Sequence, residues 1–89
     1  MAISRQDRRA AREPLVRAAF PDDAGAVLDL LELTELAWHD CYGEVSPPED
    51  VVVDIVTCGQ GDMATAVRAA RLAVEDFRDL RLWAEDVRG

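Results

Sequence analysis

The sequence predicts an all-α fold, a small single-domain bundle of three to four helices joined by short antiparallel connections. Three observations carry this expectation. Apolar residues recur at helical spacing through most of the chain. Glycine and proline fall where helices should start and stop. The one β-branched run, Val51-Val52-Val53 with Ile55 and Val56, has no second strand to pair with. At 89 residues with 49% apolar side chains, there is room for one core.

The first helical segment opens at Ser4, which has capping-box spacing to Asp7. Pro14 disfavours helix at Glu13 and suits the first position of a new turn. The expectation is therefore a basic arm over residues 1–13, flexible or only broken helix, ahead of an acidic helical domain over 14–89. The second segment follows Pro21-Asp22-Asp23, where a carboxylate can cap it, and runs to Tyr42 before Gly43. Its wide apolar arc makes it the central helix. The third opens at Ser46-Pro47-Pro48-Glu49, a capping serine with a box glutamate, and runs to Cys58. The fourth runs from Asp62 to about Asp86. A single stripe including Ala66, Val67, Ala70, Phe77, Leu80 and Ala84 should face the core, with Arg71/Glu75, Glu75/Arg78 and Arg81/Glu85 spaced to pair on the wet side.

The net charge of −8 is unevenly spread. Residues 1–17 carry a net +3, and no Lys or Arg occurs between Ala18 and Val67. An acidic body opposes nucleic-acid phosphates and membrane surfaces and favours basic partners. The arginines of the arm lack an aromatic neighbour for base stacking, so no nucleic-acid partner is expected. No apolar run exceeds five residues, which predicts no membrane partner, and the missing signal-peptide core predicts a cytoplasmic protein. Cys41 and Cys58 are expected as buried thiols, too far apart along a helical hairpin to bridge.

Several patterns suggest chemistry. Gly59-Gln60-Gly61-Asp62-Met63-Ala64 after the β-branched run outlines a dinucleotide fingerprint, but Asp62 sits where the anion would bind. Glu35 and His39 share ligand spacing on the second segment, yet no Cys-x-x-Cys or His-x-x-x-His completes a metal set. Neither cofactor nor metal is expected. Glu35 and Arg81 each fall on an apolar face and should need a partner, which makes them a candidate buried ion pair. The acids Glu32, Glu49, Asp50 and Asp54 should cover the second and third segments with uncompensated charge. With Leu36 and Trp83, which lie off the main stripes, they form the expected partner-binding face.

Short stretches resemble the small helical effector-associated adaptor domains of bacterial conflict systems. They are Arg17-Ala18-Ala19-Phe20-Pro21-Asp22, Asp50-Val51-Val52, Val67 to Arg71 and Leu80 to Glu85. The matching positions are mostly Ala, Arg, Val and Leu and do not assign the chain to that family; the resemblance implies a protein-recruiting role. The functional expectation is a non-catalytic protein–protein interaction module, adaptor or inhibitor-like, with another protein as partner and homo-oligomers allowed. The alternative is a small metal-binding or enzymatic protein using Glu35, His39, Tyr42 and the cysteines.

Overall fold

In the computed structural model, which describes residues 3–89, the chain forms four α-helices and, among those residues, no strand. They are α1 (Arg5–Ala19), α2 (Ala24–Tyr42), α3 (Glu49–Gly59) and α4 (Met63–Arg88), so the all-α bundle read from the periodicity is the fold.

Helix α1 starts as its sequence predicts. The Ser4 hydroxyl accepts the Asp7 N–H at 3.1 Å, and the Asp7 carboxylate accepts the Ser4 N–H at 3.4 Å. The expected break at Pro14 does not occur. Pro14 lies inside a continuous helix, and described residues 5–13 belong to it rather than to a separate arm. An interior proline costs a helix about 3 kcal/mol through its missing N–H and its ring. What offsets that cost is tertiary: Val16 and Phe20 are buried beyond Pro14, and Arg12 is buried before it.

Helix α2 buries Val27, Leu28, Leu31 and Trp38 and ends where Gly43 adopts a left-handed φ of 71°. Asp23 stands at its N-cap without the expected side-chain hydrogen bond. At α3 the predicted capping box is also missing. Pro48 is the N-cap, and the Ser46 hydroxyl instead accepts from Arg12 at 2.8 Å and donates to the Pro47 carbonyl at 3.2 Å. The β-branched run is helical because Val51, Val52, Ile55 and Val56 all bury their side chains, and tertiary burial outweighs the small helical penalty of β-branching.

The glycine motif is a packing device, not a phosphate cradle. Gly59 closes α3, and a Cβ there would lie 2.6 Å from Phe20 Cζ and 3.2 Å from Ala66 Cβ. Gln60 and Gly61 then turn the chain with positive φ. Helix α4 follows, capped by the Asp62 carboxylate on the Thr65 N–H.

One residue interrupts α4. Asp76 has φ −160° and ψ 94°, and its Oδ1 accepts the N–H groups of Arg78 and Asp79, as an N-cap does for a new helix. The Tyr42 hydroxyl donates to the Val74 carbonyl at 2.8 Å, satisfying an acceptor next to the interruption. Ahead of Asp76, Ala66 meets Gly59 at the end of α3. Beyond it, Arg81 reaches Asp50 and Asp54, and Arg88 reaches Asp54 and Thr57. The contacts thus run down α3 and back up it. The single core stripe expected for this helix is corrected accordingly: Ala66, Ala69, Ala70, Ala73, Leu80 and Ala84 are buried, whereas Val67 and Phe77 are exposed. Of the wet-side pairs, Arg71–Glu75 forms at 3.5 Å, and Arg78 turns to Asp76 instead of Glu75.

The close approach at Gly59 gives a direct test. Gly59→Ala gains up to about 1 kcal/mol of helix propensity but forces a methyl into Phe20, an overpacking cost of about 1–3 kcal/mol. Net destabilisation is the expected outcome in urea denaturation, and Phe20→Leu in the same chain should relieve part of it.

Candidate functional site

Glu35 is 2% exposed and accepts hydrogen bonds from two arginines of α1. Arg8 grips it bidentately, Nε to Oε2 at 2.6 Å and Nη2 to Oε1 at 3.0 Å, while Arg12 Nη1 reaches Oε2 at 2.8 Å. Arg12 continues to Glu49 Oε1 at 2.9 Å and so ties α1 to both α2 and α3. Arg9 Nη1 lies 2.8 Å from both Asp29 and Glu32. Burial pushes the Glu35 carboxyl up, but the hydrogen bonds from Arg8 and Arg12 outweigh it and hold the group below the usual glutamate range.

A second lattice joins α3 to the end of α4. Asp54, also 2% exposed, accepts from Arg81 Nε at 2.7 Å and Arg88 Nη2 at 3.1 Å. Arg81 Nη2 also holds Asp50 at 2.9 Å. The candidate Glu35–Arg81 pair is therefore corrected: each charge has its partner, but in a different network. The chain separation that made α1 look detached hid Arg8 and Arg12, whose four-residue spacing puts them on one helical face.

These networks also change the acidic face. Glu32 is paired with Arg9, Glu49 with Arg12, and Asp50 with Arg81, so these acids do not stand uncompensated, although each arginine is shared with a second carboxylate, Asp29, Glu35 and Asp54 respectively. Buried Asp54 cannot present a carboxylate to a partner. Leu36 remains on the surface at 50% exposure, whereas Trp83 is half-buried against the core. Glu35 and His39 do not act together, since His39 is exposed beside Asp40. Among the described residues no group of three or more His, Cys, Asp or Glu side chains is placed to hold a metal ion. Cys58 is a buried thiol, but Cys41 is exposed, contrary to expectation. Burial pushes the Cys58 thiol up to about 11, with Asp54 adding to the shift.

What the surface offers lies along the seam between α2 and α4. Leu30, Leu33 and Ala37 of α2 face Val67, Ala70 and Val74 of α4 across an open groove of ≈ 330 Å³. Leu33 is 63% exposed, and the only charged groups at the groove, Arg71 and Glu75, pair with each other. Further along both helices, Trp38, Tyr42 and Phe77, with Pro48, Glu44 and Asp50, line a second cleft of ≈ 400 Å³. Sequence reasoning missed Val67 and Phe77 as surface residues because helical period alone assigns them to the core face of α4, and it did not single out Leu33, which lies off the apolar arc of α2.

No family model, curated protein or solved structure matches the chain. Among the described residues no helix is long and apolar enough to cross a membrane.

Removing one member of the Glu35 network strands a buried charge. Glu35→Ala should cost about 3–5 kcal/mol in urea denaturation, and the joint change Glu35→Leu with Arg12→Leu should cost less. Because the folded carboxyl titrates below its ordinary value of 4.5, its contribution is present above pH 4.5 and is lost as pH falls through the lower folded value. Stability measured from pH 7 downward should therefore decline in that acid window, and Glu35→Gln should shallow the decline. Thiol titration at pH 8 should find Cys41 reacting at once and Cys58 only on unfolding.

Proposed function

We propose that this chain is a protein–protein interaction module, adaptor or inhibitor-like, that docks an amphipathic helix of a partner protein along the open α2–α4 seam. The observation that supports this reading is the groove itself. It sets exposed Leu33 and Val67 on either side of an apolar channel whose only charged groups already neutralise each other. A helix with apolar residues at three- and four-residue spacing fits such a channel, the helix-in-groove mode of recognition.

Charge favours a basic outer face on that helix. The chain carries −8, and Arg8, Arg9 and Arg12 are spent on internal acids. Acids such as Asp22, Asp23, Asp79, Glu85 and Asp86 have no ion-pair partner among the described residues, which leaves a surrounding field that attracts cations. Two free thiols fit a cytoplasmic setting.

The test is affinity capture from native lysate with the natural chain, Leu33→Asp and Val67→Asp, washed at low and high salt, followed by truncation mapping of the captured protein. Both substituted positions are exposed, so the variants should stay folded. The expected outcome is a partner retained at high salt, lost at least about tenfold by either variant, and mapped to a basic amphipathic helix. Capture unaffected by both variants, or no partner in any wash, would overturn the reading. So would self-association of the purified chain that Leu33→Asp abolishes, since a second copy would then occupy the seam.

A further inference from the structure

We propose that the cleft formed by Trp38, Tyr42, Phe77, Glu44 and Asp50 is a binding site for an arginine side chain of a protein partner. Its apolar wall is made of ring faces held in fixed orientations. Trp38, 2% exposed, forms the base, with its ring centroid 4.3 Å from Tyr42 and 5.8 Å from Phe77. Tyr42 and Phe77 meet edge to face, 6.1 Å apart at 75°, and each is 39% exposed. The polar ends of Trp38 and Tyr42 are both tied down: the indole Nε1 donates to Glu44 Oε1 at 3.0 Å, and the Tyr42 hydroxyl donates to the Val74 carbonyl. The rings thus need no ordering on binding, which lowers its entropic cost.

Charge complementarity selects the occupant. Glu44 and Asp50 are the only charged groups lining the cleft. Asp50 Oδ2 accepts from Arg81, whose Nε is committed to Asp54, and Asp50 Oδ1 accepts the Val51 N–H. Glu44 has no arginine partner among the described residues, and its Oε2 accepts no hydrogen bond. A site with aromatic faces, two carboxylates and one shared arginine carries net negative charge next to π-surface. A guanidinium satisfies both features at once, since it stacks flat on a ring while its edge donates to a carboxylate. A lysine ammonium would reach the carboxylates but has no plane to stack. The volume of ≈ 400 Å³ is ample for one such side chain.

The inference rests on the docking reading in taking its cation from a protein. Its probe, however, binds or fails to bind whatever the native partner is, so the two fail separately. The experiment is a titration of the full chain with N-acetyl-arginine methylamide, and with its citrulline and lysine counterparts, followed by NMR at the Trp38 indole and the rings of Tyr42 and Phe77. Saturable shifts confined to the cleft are expected with arginine, with citrulline and lysine each at least about fivefold weaker. Glu44→Gln, which keeps an acceptor for Trp38 while removing charge, should weaken arginine binding at least about threefold. Equal shifts from arginine and citrulline, equal binding of lysine, or arginine shifts spread evenly over Asp79, Glu85 and the rest of the acidic surface would each overturn the proposal. Should Glu44→Gln not fold, the three-probe comparison on the natural chain decides alone.

Discussion

Around the buried Glu35 carboxylate three helices are brought to one point. It sits on α2, is held by Arg8 and Arg12 of α1, and through Arg12 is linked to Glu49 at the head of α3. Burying such a carboxylate is unfavourable unless donors replace its water, and here three N–H groups do so. The same requirement keeps α1 helical up to Pro14, because Arg8 and Arg12 reach one carboxylate together from successive turns of a helix, and the burial of Val16 and Phe20 carries the helix on beyond the proline. An ion-pair network of this kind does not by itself add much stability over an apolar core. Its effect is on which arrangement is reached, since any other placement of α1 would leave Glu35 without donors.

At the other end, Asp76 plays the complementary part. A helix of the length of α4 would run past the bundle if straight, and its interruption returns the last segment to α3, where Arg81 and Arg88 meet buried Asp54. The break exposes Phe77 and brings the Tyr42 hydroxyl to the Val74 carbonyl, so the aromatic cleft is a product of the interruption. The alanines of the first part of α4 allow a close helix approach on one side, and the larger Val67 and Val74 are left on the open seam.

Much of the fold was legible in the residues. The Ser4 capping box, the stop at Gly43, the start at Asp62 and the packing of Ala66, Ala70, Ala73 and Ala84 are local signals, set by hydrogen bonds within a few residues or by the helical period. Ser46 was misleading for a physical reason: its hydroxyl is claimed by Arg12, a residue 34 positions away, which no local rule anticipates. Less of the site was legible. Glu35 and Arg81 were rightly marked as charges that need partners, but pairing across helices depends on which faces meet. Val67 shows the same limit, since period places it with the core residues of α4 and only the spacing of α2 and α4 leaves it uncovered beside Leu33.

The sequence by itself determined an all-α chain with four helical segments and a surplus of acid, because helix period, caps and composition are properties of neighbouring residues. Tertiary structure alone decided that α1 is whole, that α4 turns at Asp76, that arginines pair with most of the acids of α2 and α3, and that an apolar seam stays open. Those outcomes follow from long-range satisfaction of buried charge and from the volumes of side chains meeting across helices.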